Sequence, residues 1–174
     1  MNPEPTTFLN FAYGSNMSTA RLRARVPSAR VIGRGVLGGH ELVWHKVSKD
    51  GSGKCDVVAS YAPDAVVHGV VFAIDQVEKA TLDRAEGLGM GYAERQVTVE
   101  VGGALLAATM YYATRTDPAL KPYSWYRAHV LAGAYEHELP PEYIAALEAI
   151  EASEDQNTDR HAEQMALVPP RATS

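Results

Sequence analysis

The segment Tyr13-Gly14-Ser15-Asn16 joins a strand-like run to a helix-like run, and its residue types suit the binding of an oxyanion. Residues 8–11 alternate as a strand does, and residues 18–25 have the composition of a helix. A glycine and two small polar residues at such a junction leave backbone N–H groups pointing outward, with the positive end of a helix dipole behind them. The segment predicts a cradle for a carboxylate or oxyanion, although the same residues are also common in turns and helix caps.

Glu86 is the candidate acid–base group. A helical pattern follows Asp75, with Glu78 completing the signature of a capping box, and is expected to end at Gly87. The Glu86 carboxylate would then lie in the last turn, where the helix dipole disfavours its charge. Apolar surroundings would raise its pKa further, so that it could take a proton from an ammonium and return it near neutral pH. The alternative interpretation is a solvated surface glutamate.

Most of the nine tyrosines lie in the second half of the chain, and five of them are Tyr92, Tyr111, Tyr112, Tyr123 and Tyr126. Their rings could wall a pocket and offer hydroxyl groups to a small polar ligand. The alternative for each ring is core packing with a solvated hydroxyl.

Other site chemistries lack support in the sequence. The six histidines have no metal-ligand spacing, and no Gly-x-Ser-x-Gly segment is present. A single cysteine, Cys55, excludes an internal disulfide and a cysteine cluster, and it is interpreted as a bystander thiol in a Gly/Ser/Lys-rich loop. We therefore expect no metal site, no serine-hydrolase site and no cysteine nucleophile.

Composition favours one globular domain. The chain has 174 residues, of which 46% are hydrophobic and 21% charged, and a net charge of -5. That charge gives no reason to expect nucleic acid or an anionic membrane as partner. Without a membrane-length apolar run or a signal peptide at its start, the sequence predicts a cytoplasmic protein.

The pattern of elements predicts an α+β fold, with a small, mixed, partly closed β-barrel and flanking helices. Strands are expected at 31–37, 41–47, 57–61, 66–74, 92–101 and 104–112, the last two joined through Gly102-Gly103. Further helices are expected at 123–136 and 141–150. Residues 8–151 form the predicted domain, and residues 152–174, which are polar and without period, form a predicted flexible C-terminal tail.

Both chemical segments, taken together, resemble those of the γ-glutamylcyclotransferase family. The loop 13–16 is similar to its substrate loop, and Leu82-Asp83-x-x-Glu86-Gly87 followed by Tyr92 is similar to the segment of its catalytic glutamate. The resemblance extends over roughly residues 8–151, through Val70-Val71-Phe72, Tyr112, Tyr126, Gly133-Ala134 and Leu139-Pro140-x-Glu142-Tyr143.

This resemblance implies conversion of γ-glutamyl amino acids to 5-oxoproline and a free amino acid, by attack of the substrate's α-amine on its own γ-carbonyl. Glu86 would be the general base and acid. The substrate-binding residues would be Tyr13, Gly14, Ser15, Asn16, Tyr92, Tyr112 and Tyr126. It also implies a small-molecule substrate, no cofactor and a homodimer.

Two departures from the family pattern leave alternatives open. The link between Glu86 and Tyr92 is unusually rich in glycine, and residues 44–56 have no clear counterpart. The same fold could act on γ-glutamylamines, glutathione or a γ-glutamyl-protected metabolite. A non-catalytic module that binds a small molecule is a further alternative, against which the presence of Glu86 argues.

Overall fold

Seven strands and five α-helices follow one another in the computed structural model of the protein, which describes residues 6–171. The strands are β1 (Thr7–Ala12), β2 (Arg30–Gly38), β3 (His40–Val47), β4 (Gly53–Ala59), β5 (Val66–Asp75), β6 (Tyr92–Val101) and β7 (Ala104–Ala113). The helices are α1 (Thr19–Arg25), α2 (Lys79–Glu86), α3 (Ser124–Glu136), α4 (Pro141–Glu148) and α5 (Thr158–Leu167).

Five strands close into a barrel in the order β1-β5-β2-β6-β7. Its pairs are antiparallel except where β1 meets β7 in parallel at Asn10 and Thr109. The predicted α+β barrel is therefore confirmed, and it is closed rather than partly closed. Strands β3 and β4 form a separate two-stranded sheet.

Strand β5 lies between β1 and β2, and residues 69–74 along it are all buried. A strand covered on both faces needs no polar alternation, which explains its continuous apolar sequence. The β6–β7 hairpin turns at Gly102 and Gly103, whose φ values of 57° and 85° suit glycine. The predicted turn is thus confirmed.

Helix α3 packs one face against the loop that follows β1. Its buried residues recur every four positions, at 125–126, 129–130 and 133–134, which places them on one face. At Gly133 a Cβ atom would lie 2.5 Å from both the Cβ of Met17 and the backbone N of Ser18. Only glycine permits this approach, so α3 holds residues 17–18 firmly against the barrel.

The predicted capping box at Asp75 and Glu78 is wrong. Residues 76–78 form a 3-10 turn ahead of α2, and the Asp75 side chain caps nothing. The backbone N–H of Asp75 donates instead to the Ser28 hydroxyl at 2.9 Å, and a Glu78 carboxylate oxygen accepts from the Ser28 N–H at 3.1 Å. In a capping box the Glu78 side chain would accept from the Asp75 N–H. Ser28, 47 residues upstream of Asp75, accepts this hydrogen bond instead.

The stretch after residue 151 is not free of regular structure, contrary to the predicted tail. Helix α5 forms there, and the Asn157 side chain caps it by accepting from the Arg160 N–H at 3.0 Å. The stretch is anchored by the Trp125 indole N–H, which donates to Asp155 at 2.9 Å. Residues 172–174 of the predicted tail lie outside the described residues. Across residues 6–171, no helix combines the length and apolar character that a membrane crossing requires.

Candidate active site

A cavity of about 50 Å³ opens where β1 ends, and it brings together both chemical segments of the sequence. Seven of the eight predicted site residues line it: Tyr13, Gly14, Ser15, Asn16, Glu86, Tyr92 and Tyr126. Cys55 from β4 and Tyr111 from β7 complete much of the wall. Residues 70 positions apart in the chain therefore face one space.

The loop after β1 presents unpaired backbone N–H groups to this cavity. Residues 15–17 form a 3-10 turn, in which the Met17 N–H donates to the Gly14 carbonyl at 3.1 Å. Among the described residues, the N–H groups of Gly14, Ser15 and Asn16 have no acceptor. The first N–H groups of such a turn point along its axis, so they can donate to an anionic or carbonyl oxygen.

Gly14 is held close to the opposite wall of the cavity. A Cβ atom there would lie 3.1 Å from the Tyr126 hydroxyl and 3.2 Å from the Cβ of Cys55. Any side chain at this position would push against both, so glycine keeps the N–H groups of the loop accessible.

Leu82 and Glu86 lie on the face of α2 that is turned toward the interior of the protein. Leu82 is fully buried, and Glu86 lies four residues later on the same face of the helix. Helix α2 ends there, because Gly87 adopts the left-handed conformation with φ 76°. The predicted helix end is confirmed, and the Glu86 side chain points inward with 15% of its surface exposed.

Asn16 and Arg25 contact the Glu86 carboxylate. The Asn16 amide nitrogen donates to Oε1, and Arg25 Nη1 lies 3.4 Å from the same oxygen. Arg25 Nη1 also donates to the Asn16 Oδ1 at 2.9 Å, which fixes the orientation of the amide. Asn16 therefore links the loop after β1 directly to Glu86, the candidate base.

Burial raises the pKa of Glu86 above its ordinary value. The positive charges of Arg25, Arg21 and Lys46 and the hydrogen bond from Asn16 oppose this effect but do not cancel it. A carboxylate in this state accepts a proton more readily than a solvated glutamate does. The cavity thus holds a base of raised proton affinity beside unpaired N–H donors.

Three of the cavity tyrosines, Tyr13, Tyr92 and Tyr126, form hydrogen bonds with backbone groups. Tyr13 donates its hydroxyl to the Tyr111 carbonyl at 2.6 Å, and Tyr92 donates to the Cys55 carbonyl at 2.8 Å. The Tyr126 hydroxyl accepts from the Cys55 N–H at 3.2 Å. Burial raises the pKa of Tyr13, Tyr92 and Tyr126 well above its ordinary value, so these rings stay neutral.

The chain is similar in sequence to known proteins over most of its length. The chain is 32% identical to γ-glutamylcyclotransferase of Mus musculus over 157 residues, which cover 87% of this chain and 82% of the relative. It is also 32% identical to γ-glutamylcyclotransferase of Homo sapiens over 158 residues, covering 87% and 83%.

The chain belongs to the γ-glutamylcyclotransferase family. A solved structure named γ-glutamyl cyclotransferase superposes with a TM-score of 0.80 at 27% identity, covering 91% of this chain and 99% of that one. A sequence profile described as the AIG2-like family matches residues 66–147, which include α2 and Glu86. The resemblance stated from the sequence is thus confirmed, and the chain is a member of an enzyme family.

Tyr112, predicted as a substrate-binding residue of this γ-glutamylcyclotransferase-family protein, does not line the cavity. Side chains alternate along β7, so Tyr111 faces the cavity and Tyr112 faces away from it. The Tyr112 ring lies 5.3 Å from the guanidinium carbon of Arg95. Tyr123 is also outside the cavity, where its hydroxyl donates to the Asp50 carbonyl.

Cys55 lies inside β4 rather than in a loop. Burial raises the pKa of its thiol to about 12, which opposes formation of a thiolate at neutral pH. Among the described residues, no group of three His, Cys, Asp or Glu side chains is arranged to hold a metal ion.

Arg25 and Lys46 are two of the charged neighbours of Glu86 that the sequence analysis missed, and Arg21 is the third. Arg25 closes α1, and the Lys46 ammonium lies 4.6 Å from the centroid of the Tyr92 ring. Both approach Glu86 from elements distant in sequence, so no local motif could have identified them.

Proposed function

We propose that this protein converts γ-glutamyl amino acids to 5-oxoproline and the free amino acid, with Glu86 as general base and then general acid. The observation that carries the proposal is the shared cavity: a largely buried carboxylate of raised pKa lies beside the unpaired N–H groups of residues 14–16. Membership of the family supports the same reaction.

The reaction needs a base because the attacking nitrogen begins as an ammonium. Glu86 would take one proton from it, and the freed amine would attack the γ-carbonyl carbon and form the ring C–N bond. The protonated Glu86 would then give that proton to the leaving nitrogen as the original amide C–N bond breaks. A second proton moves from the ring nitrogen to the leaving amine, so no net proton is released.

The loop N–H groups would bind oxygen atoms of the glutamyl unit. Because the nucleophile and the carbonyl belong to one molecule, the protein gains most by holding that unit bent, with the two reacting atoms close together. Preorganised N–H donors also stabilise negative charge on the carbonyl oxygen at no reorganisation cost. The neutral, tethered tyrosines would limit access of water and so preserve the basicity of Glu86.

Incubation with γ-glutamyl dipeptides, γ-glutamylamines and glutathione, with 5-oxoproline and the released amine both quantified, tests this proposal. We expect the two products in equal amounts from the dipeptides. The same assay is applied to Glu86→Gln, which should lose 5-oxoproline formation. Glu163→Gln, on the exposed surface of α5, makes the same chemical change at a distant position and serves as the control. Absence of 5-oxoproline from every compound would favour the binding-module alternative.

A further inference from the structure

A second, larger space lies against Glu86. It has a cavity volume of about 690 Å³, and its walls are the end of β3, the end of α2 with the glycine-rich loop 87–91, and the residues after β7. Glu86 lines both this groove and the small cavity. A substrate whose glutamyl unit occupied the cavity, with its leaving nitrogen at Glu86, would place its leaving half beside the groove.

The groove is strongly positive. Four cationic side chains line it, and they are Lys46, Lys49, Arg84 and Arg115, whereas Glu86 is the one acidic residue of its lining. Among the described residues, none of the four forms an ion pair with a carboxylate. Arg84 donates to the Thr81 hydroxyl at 3.2 Å, which leaves its charge uncompensated.

The cations also act on one another. Burial lowers the pKa of Lys46, and the charges of Lys49 and Arg115 lower it further, while Glu86 and Asp50 oppose the shift. Like charges gathered on one groove are costly unless an anion occupies it. The arrangement is therefore complementary to a ligand with several negative charges.

We propose that this groove binds the leaving half of the substrate through its carboxylates, so that the favoured substrates are γ-glutamyl derivatives of acidic amino acids or short acidic peptides. This inference rests on the proposed cyclotransferase function. One carboxylate, as in a neutral amino acid, would engage only part of a four-cation groove. A γ-glutamylamine would present no charge to it.

The test compares two substrates of nearly the same shape, γ-glutamyl-glutamate and γ-glutamyl-glutamine, which differ by one carboxylate. We expect kcat/KM to be about 10-fold higher for γ-glutamyl-glutamate at low ionic strength, a factor that corresponds to about 1.4 kcal/mol. The ratio should fall as salt is added, because the exposed charges of Lys49, Arg84 and Arg115 are screened. Equal kcat/KM values at low salt would overturn the inference while leaving the cyclotransferase function intact.

A double variant, Lys49→Gln with Arg115→Gln, assigns the preference to the groove. We expect the ratio of the two kcat/KM values to fall toward one. Arg30→Gln, on exposed β2 outside the groove, removes one positive charge elsewhere and should leave the ratio unchanged. A ratio that persists in the double variant would contradict the assignment.

Calorimetric binding of the same two dipeptides to Glu86→Gln separates this inference from the proposed function. Tighter binding of γ-glutamyl-glutamate supports the groove assignment even if no 5-oxoproline is formed by the unsubstituted enzyme. Equal affinities would refute it, whatever the turnover. Failure of catalysis and failure of charge selection are thus read from different measurements.

Discussion

Among residues 6–171, two carboxylates, Asp155 and Glu86, form ion pairs with arginine, and their pKa values are shifted in opposite directions. Asp155, whose side chain is 0% exposed, accepts from Arg160 Nε at 2.5 Å, Arg160 Nη2 at 2.6 Å, the Trp125 indole at 2.9 Å and the Asn157 N–H at 2.9 Å. Within residues 6–171, Glu86 accepts only from the Asn16 amide and, at 3.4 Å, from Arg25.

The difference in donors decides the proton affinity of each group. The Arg160 fork and the other donors hold the pKa of Asp155 well below its usual range. Burial outweighs the few donors at Glu86 and raises its pKa. Asp155, whose oxygens accept several hydrogen bonds, stabilises the fold as a permanent anion. Glu86, which accepts few hydrogen bonds, can exchange a proton with a ligand.

The largest effect on activity is expected from Glu86→Gln, which keeps the shape of the side chain and removes its basicity. General-base residues contribute about 100-fold to 10,000-fold to rate, so we expect kcat to fall by about that factor. Formation of 5-oxoproline measures the loss, and a circular dichroism spectrum like that of the unsubstituted protein shows that the fold persists. Turnover within a few-fold of normal would mean that the base is another group.

Removal of Arg25 would make the two carboxylates still less alike. Arg25 lowers the pKa of Glu86, so Arg25→Gln should raise it further. At a given acidic pH a smaller fraction of Glu86 is then deprotonated, and the acidic limb of the kcat/KM profile moves to higher pH. Arg30→Gln controls for a general loss of positive charge. A limb that stays in place, or moves to lower pH, would contradict the assignment of that limb to Glu86.

Asp155→Asn should change the stability of the fold rather than the pH profile of kcat/KM. Because the pKa of Asp155 is lower in the folded protein than in the unfolded chain, its ionised form stabilises the fold at pH values above the unfolded-state pKa of about 3.9. That stabilisation is lost as the pH falls below this value. We expect a lower melting temperature for the variant at neutral pH, and a difference from the unsubstituted protein that shrinks on acidification. Scanning calorimetry between neutral and acidic pH measures it. A difference that grows toward low pH would refute the proposed sign.

The smallest effect is expected at Tyr112, which the family resemblance indicates as substrate-binding but which does not line the cavity of the candidate active site. Tyr112→Phe should change kcat/KM by no more than about two-fold, because the Tyr112 hydroxyl does not line the cavity. Tyr111→Phe is the matched variant, because it removes the hydroxyl that donates to Asp83 at 2.6 Å on the adjacent α2. A larger loss of kcat/KM for Tyr112→Phe than for Tyr111→Phe would contradict the conclusion that Tyr111 faces the cavity and Tyr112 faces away from it.

Features fixed by local chemistry were predictable from sequence. Gly87 ends α2 and Gly102-Gly103 turns the hairpin because each needs a positive φ, which glycine adopts without strain. The pairing of the loop after β1 with Glu86 depended on the family resemblance, since nothing local connects residues 70 positions apart.

Features decided by distant partners were not predictable. Ser28 displaced the capping box, and Trp125 anchors the C-terminal stretch through Asp155. Tyr111 and Tyr112 differ only in the phase of strand alternation, which a mostly apolar run does not reveal. The position of Arg25 at the base likewise follows from tertiary packing.

Leu82 and Glu86, one turn apart on α2, also restrict how the length of the chain can change. Each residue added to a helix rotates everything after it by about 100°. One residue inserted between them would leave Leu82 in the core and swing the acid toward solvent, whereas an extra residue beyond Gly87 would leave the base in position. Viable insertions should therefore accumulate in loop 87–91 and be absent from the single turn before it.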